Sequence, residues 1–215
     1  MPRQRSLTPA AIAAAALRVG DREGAPAMTM RRIAAELGCD PMALYRHFPD
    51  RQALLDAVAD LALADAPDPD PAADWEARLR TVLTGIRRAA LAHPGIAGHV
   101  AARPPLREHG RRLGTALTVA LADAGLAPAD VVRATQTLVA YLAAALAMAV
   151  RAGERDARWH QVADALGELP GEAVGDELFI AGSAEQFEYG LRLLLAGIRT
   201  EAAGTDLTGP PGRPR

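Results

Sequence analysis

Apolar residues recur with the period of an α-helix along most of the chain, and polar residues occupy the positions between them. In one short segment the apolar residues fall at i, i+3, i+4 and i+7, namely Met30, Ile33, Ala34 and Leu37. That spacing places them on one face of a helix. The chain is rich in alanine and has few runs of β-branched or aromatic residues, so strand formers are scarce. The pattern therefore predicts an all-α fold.

Capping residues and helix breakers divide this pattern into segments. Thr8, Thr29, Asp40 and Asp50 each suit the N-cap position of a helix, and Ser183 begins a capping box before the last one. The first predicted helix begins at residue 9 and ends between residues 20 and 24. The others cover residues 30–37, 41–48, 51–65, 75–93, 96–102, 105–124, 128–151, 156–166 and 184–203. Residues 167–182 are predicted to form a loop.

A proline-punctuated break, APDPDPAA at residues 66–73, divides the chain in two, because neither a helix nor a strand tolerates it. We predict an N-terminal domain at residues 1–65, which ends with the start of a connecting fourth helix. A larger helical domain follows at residues 74–203, and residues 204–215 are predicted to be a disordered tail. Only three residues separate the second and third helices, so the two must cross steeply in a helix-turn-helix.

Charge and cysteine content limit the possible functions. The formal net charge of the 215 residues is −2, yet residues 1–55 carry eight arginines against five acids, so the N-terminal domain is locally basic. Cys39 is alone and predicts neither a disulfide nor a zinc cluster. The longest apolar run, residues 138–150, is short for a bilayer span of about 20 residues. The apolar N-terminal stretch has no clear cleavage site, and we expect a cytoplasmic protein.

The third helix carries an unusual polar and aromatic surface. Leu44 and Phe48 are four residues apart and should face the core, which leaves Tyr45, Arg46 and His47 on the outward side. A short helix at such a corner fits the major groove of B-form DNA. Tyr45 could instead only brace the core, and His47 could be a solvated residue favoured by the helix dipole.

The stretch MTMRRIAAELGCDPMALYRHFPDRQALLDAVAD, which begins at Met28, resembles the DNA-binding domain of the TetR family of bacterial transcriptional repressors. The resemblance covers residues 7–60 at matching spacings. It implies binding to a palindromic double-stranded DNA operator. Phosphate contacts are then expected from Thr29, Tyr45, His47 and Arg51. Base-edge or groove-facing positions are expected at Arg31, Pro41, Met42, Ala43 and Arg46.

The second domain has more apolar helical surface than a DNA-binding module needs. Residues 131–150 are apolar almost all round, and the last helix has a broad Phe, Leu and Ile face. In the TetR family two such late helices from each subunit form a four-helix bundle, which implies a homodimer. The alternative is that these faces complete only an internal core.

The segments HVAARPPL and AGLAPADVVRA are similar to the tetracycline-repressor branch, which implies a pocket for a small-molecule inducer. His99 falls where that branch has a histidine used in binding a metal–drug complex, but Ala102, Thr115 and Gly85 depart from the branch. One imidazole is a poor magnesium site, so we expect no metal, no cofactor and an inducer other than tetracycline. His99 could equally be structural. The candidate ligand residues are His99, Thr115, Thr118, Gln136 and Tyr141.

An enzyme is not expected, because the histidines are not accompanied by a metalloprotease motif, paired carboxylates or a nucleophile elbow. The sequence thus predicts a ligand-responsive, sequence-specific DNA-binding regulator, and in particular a repressor that a small molecule releases from its operator. The alternative is a helical scaffold protein without DNA-binding activity. The basic excess of the first domain is modest, which is compatible with this alternative.

Overall fold

The computed structural model describes residues 7–151, 157–167 and 180–207, and the regular elements within these ranges are all helical. The all-α prediction is therefore confirmed. The helices are α1 Pro9–Glu23, α2 Met30–Leu37, α3 Pro41–Tyr45, α4 Arg51–Leu61, α5 Trp75–Leu91, α6 Pro94–Ala102, α7 Glu108–Asp123, α8 Pro128–Arg151, α9 Ala157–Gly167 and α10 Ala184–Leu207. A short 3₁₀ turn, Ala25–Ala27, precedes α2.

The predicted caps form in the first four helices. The side-chain oxygens of Thr8, Thr29, Asp40 and Asp50 accept backbone N–H groups two or three residues ahead, at donor–acceptor distances of 2.7–3.1 Å. Gly38 ends α2 with a left-handed backbone at φ +65°. Because Gly has no Cβ, the chain can turn there and begin α3 within three residues.

Several helix ends differ from the sequence-based prediction. Helix α3 ends at Tyr45 and α4 ends at Leu61. Helix α7 begins at Glu108, because the backbone of Arg107 is extended. Helix α10 continues to Leu207, so residues 204–207 of the predicted tail are helical. Residues 208–215, and most of the predicted loop at 167–182, lie outside the described residues.

The first four helices pack directly on the second domain. Buried residues of α1, α2 and α4 join those of α5 to α8 and α10 in one contiguous apolar core. At one crossing a Cβ on Gly95 of α6 would lie 2.4 Å from the carbonyl oxygen of Gly20 in α1, so only glycine allows this close approach. Consequently α6 packs directly on α1 of the first domain.

Helix α8 is the most apolar long helix. By length and composition alone this helix could cross a membrane. Its uninterrupted apolar run, which was apparent from the sequence, has 13 residues and is too short for that. A single helix of this kind is weak evidence for a membrane span, because core helices meet the same criteria. Its most apolar 18-residue window is only 17% buried in the monomer, which leaves a surface for another element to cover.

Candidate nucleic-acid interface and apolar cavity

Helix α3 presents the polar and aromatic surface expected from the sequence. Leu44 and Phe48 are buried and fix the helix to the core. Met42 is 65% exposed and Tyr45 44% exposed, although both are large apolar or aromatic side chains. Arg46 and His47 are exposed in the turn that follows the helix, while Pro41 and Ala43 are partly buried. The helix therefore holds an aromatic ring and two nitrogen-bearing side chains on one outward surface.

Helix α2 adds Arg31 to this surface. Arg31 is exposed, and its guanidinium forms no hydrogen bond or ion pair with the described residues. The hydroxyl oxygen of Thr29 accepts the backbone N–H of Arg32 at 3.1 Å, so Thr29 caps the helix. Its hydroxyl hydrogen is still available for a phosphate oxygen. The N-terminus of α2 also carries a partial positive charge.

Arg51 has a structural contact that the sequence did not suggest. Its Nε donates a hydrogen bond to the carbonyl oxygen of Met28 at 2.8 Å, and the Met28 side chain is fully buried. Arg51 thus connects the start of α4 to the turn before α2. Its predicted phosphate contact remains a prediction for the other donors of the guanidinium.

Arg32, the neighbour of Arg31 on α2, belongs to an ion-pair network. Its guanidinium bonds Glu23 at 2.6 Å and Glu36 at 3.1 Å, and Arg22 bonds Glu36 at 2.8 Å. The bonds from Arg32 lower the pKa of Glu23, and those from Arg22 lower the pKa of Glu36. The network holds α1 against α2 and leaves Arg31 as the exposed cation of α2.

An apolar cavity of about 240 Å³ lies in the second domain. Helices α7 and α8 and the segment between α6 and α7 form most of its wall, together with Leu63 and with Ile86 of α5. The hydroxyl of Thr135 donates to the carbonyl oxygen of Val131 at 2.8 Å, so its hydrogen is already bonded. Leu106 lines the cavity although it is 80% exposed, which places it at the mouth. The other lining residues are Val100, Pro104, Pro105, Gly110, Leu113, Gly114, Leu117, Val139, Leu142, Ala143 and Leu146.

The five predicted ligand residues do not converge on this cavity. Thr115 and Thr118 of α7 are not among the lining residues, although each comes one position after one of them, about 100° further round the helix. Gln136 of α8 is exposed. The Tyr141 hydroxyl donates to the carbonyl oxygen of Phe187 at 2.7 Å, and the two rings stack with centroids 5.6 Å apart. A ligand contact by any of the five residues stays a prediction. The apolar stripe of α7 was the feature of the sequence that could have indicated the residues lining the cavity.

His99 instead belongs to a polar link between α4 and α6. Its Nε2 lies 2.8 Å from Oδ1 of Asp56, and the Arg103 guanidinium makes two bonds of 3.1 Å to the same carboxylate. These bonds, led by those of Arg103, lower the pKa of Asp56 to about 2. The carboxylate is therefore ionised at neutral pH. Within the described ranges, no three His, Cys, Asp or Glu side chains are grouped as a metal ion would need.

Comparison with known proteins agrees with this architecture. The sequence model of the bacterial regulatory proteins of the tetR family matches residues 12–58, and that of the tetracyclin repressor-like C-terminal domain matches residues 67–202. The tetracycline repressor protein class A from transposon 1721 of Escherichia coli is 32% identical over 201 residues, which are 89% of this chain and 90% of that protein.

Two solved structures are similar over nearly the whole chain. ActR from Streptomyces coelicolor, in complex with (S)-DNPA, has a TM-score of 0.76 and 28% identity, with 91% of this chain and 98% of ActR covered. BioQ, a Mycobacterium smegmatis protein, bound to its natural double-stranded DNA operator has a TM-score of 0.67 and 27% identity, covering 90% of this chain and 99% of BioQ. With both domains matched in order, the chain is a member of the TetR family of bacterial regulatory proteins.

Proposed function

We propose that this chain is a ligand-responsive DNA-binding repressor whose helix α3 enters the major groove of its operator. The observation that carries this proposal is the outward surface of α3, where Met42 and Tyr45 are exposed beside Arg46 and His47. Exposed apolar and aromatic side chains beside cations are the groups that contact base edges and phosphates in DNA. The similar protein BioQ is bound to a double-stranded DNA operator.

The chemistry of each side chain indicates whether it contacts base edges or phosphates. Arg31 and Arg46 can donate bidentate hydrogen bonds to a guanine edge, whereas Met42 and Ala43 can only pack against apolar groups such as a thymine methyl. Tyr45, His47 and Thr29 are suited to phosphate oxygens and fix the orientation of α3. Pro41 starts the helix and is partly buried.

We further propose that the protein acts as a homodimer through α8 and α10. Phe187, Leu191 and Leu195 face the monomer core, but Leu193 on another side of α10 is 56% exposed. Val132 and Met148 are exposed on α8. A second copy would cover these apolar faces and the uncovered part of α8. The two recognition helices would then lie about 34 Å apart, which a palindromic operator requires.

The inducer is proposed to bind in the apolar cavity. Since its walls offer no charged group and the hydroxyl of Thr135 is already bonded, an uncharged and largely apolar molecule suits it best. The imidazole of His99 is engaged with Asp56, which argues against a metal–drug complex at that histidine. ActR was solved with the small molecule (S)-DNPA. A binding role, rather than a catalytic one, and a cytoplasmic location follow from this proposal.

A gel-shift titration against the DNA flanking the gene tests the proposal. The wild-type protein should prefer that DNA over a scrambled duplex of equal length, and the preference should weaken by about tenfold or more with Arg31→Ala. The matched control is Arg88→Ala, which removes an exposed arginine from α5 in the second domain. If the wild-type protein shows no preference for that DNA at low salt, the repressor proposal is wrong and the chain is a helical scaffold protein instead.

A further inference from the structure

Asp60 in the last turn of α4 is a charged side chain buried to 5% exposure. Its Oδ2 accepts the backbone N–H of His109 at 3.1 Å, and its Oδ1 accepts that of Gly110 at 2.9 Å. Both N–H groups belong to the first turn of α7, where a helix has no internal acceptors for them. Arg107, the residue before α7, provides no side-chain cap. Asp60 therefore caps α7 from another helix.

Residues close to both partners of this cap line the apolar cavity. Gly110 lines the cavity, and a Cβ at this position would lie 2.0 Å from the carbonyl oxygen of Pro105, so the first turn of α7 fits closely against the segment before it. Leu63, three residues after Asp60, lines the same cavity. A molecule in the cavity would thus touch α7 and the turn directly after α4, which adjoin the two ends of the Asp60 hydrogen bonds.

The other end of α4 is fixed to the helix-turn-helix. Arg51 bonds the carbonyl oxygen of Met28 before α2, and Leu54 is fully buried in the core that the first helices share. A displacement of the C-terminal end of α4 would therefore also move α2 and α3, because α4 is bonded to and packed against the first domain.

We propose that Asp60 is a positioning residue that couples occupancy of the cavity to the orientation of the DNA-binding helices. In the empty protein its carboxylate holds α4 on the N-terminus of α7, where the helix dipole favours a negative charge. A ligand that shifts the first turn of α7 changes this geometry and moves α4. The coupling adds to the link between Asp56 and α6. It rests on the proposed function, because it requires an effector in this cavity.

The test compares full-length wild type with Asp60→Asn, which keeps the shape of the side chain but loses the charge and one acceptor. The probe is N-phenyl-1-naphthylamine, an uncharged apolar fluorophore, whose binding is followed by fluorescence. Amide hydrogen exchange is then measured with and without the probe. In wild type, probe binding should change exchange in α7, α4 and residues 41–48 by about fivefold or more, the low end of common coupling free energies.

In Asp60→Asn the probe should still bind and still change exchange in α7, but the response in α4 and residues 41–48 should be lost. Asp60→Glu, which restores the carboxylate, should recover part of the response and guards against a folding defect of the first variant. Asp65→Asn removes an exposed carboxylate just beyond α4 and should respond like wild type.

Two results would overturn the proposal in distinguishable ways. Equal responses of α4 and residues 41–48 in wild type and Asp60→Asn would refute the role of Asp60 while leaving the effector cavity standing. Failure of wild type to bind the probe would remove the effector cavity itself, and the coupling with it.

Discussion

Gly114 in the middle of α7 offers the sharpest test of the cavity. It lines the cavity, and a Cβ added to its backbone would have no atom within 4 Å. A larger side chain should therefore grow into empty space without displacing the neighbouring helices. The perturbation is Gly114→Leu, and Gly114→Ala is its matched control because it changes the backbone preference and fills little of the cavity.

The magnitude of the effect follows from two contributions. Replacing glycine by alanine in a helix interior should raise the free energy of unfolding by about 1 kcal/mol. The three further carbons of leucine should add about 2 kcal/mol when they are buried, at about 0.8 kcal/mol each. For a chain of this size the melting temperature should rise by about 3 °C with alanine and by about 9 °C with leucine.

The assay combines thermal unfolding at fixed protein concentration with binding of N-phenyl-1-naphthylamine. Gly114→Ala should bind the fluorophore with an affinity close to that of wild type, and Gly114→Leu should lose at least about tenfold, because the leucine occupies the space. A leucine variant that is less stable than the alanine variant, or that binds the fluorophore as wild type does, would refute the existence of the cavity.

Three further predictions concern other parts of the molecule. Because bonding lowers the pKa of Asp56 to about 2 from its ordinary 3.8, its stabilisation is complete above about pH 4 and is lost as the pH falls towards 2. Chemical unfolding of Asp56→Asn should show a loss of about 1 kcal/mol at pH 7, after allowance for solvent screening, and only a small part of that loss at pH 2, where the carboxylate of the folded protein is half ionised. Leu193→Asp should give a monomer in sedimentation. Leu106→Asp, at a still more exposed leucine that is not on α8 or α10, should remain a dimer, and a dimer in both variants would contradict the interface. Arg51→Ala should lower the free energy of unfolding by about 1 kcal/mol through the lost bond to Met28, while Arg31→Ala should leave it unchanged; equal thermal stabilities would contradict the structural role of Arg51.

The local features of the first domain were predictable from the sequence, because caps and turns are set by neighbouring residues. Thr29, Gly38 and Asp40 define α2 and α3 through contacts within a few positions. The outward placement of Tyr45 follows in the same way from the spacing of Leu44 and Phe48. Helix ends were less predictable where a distant residue decides them, as at the start of α7.

The apolar cavity was not predictable, because it depends on how distant helices pack. Thr115 and Gln136 were chosen as ligand candidates for their polar chemistry and stay predictions, whereas the cavity is lined by the apolar faces of α7 and α8. Nothing in the local sequence around Asp60 or His109 indicates that they meet, since 49 residues separate them. The partners of Arg32 and Arg51 were hidden for the same reason, although Glu36 at i+4 from Arg32 was a usable signal.

Selection of binding sites from a pool of random DNA duplexes at physiological salt tests the central claim most directly. The wild-type protein should enrich a two-fold symmetric site with half-sites about one helical turn apart, as a dimer with two α3 recognition helices requires. Tyr45→Ala should weaken binding to that site while keeping the helix content and the dimer. A folded wild-type dimer that enriches no sequence would contradict the account.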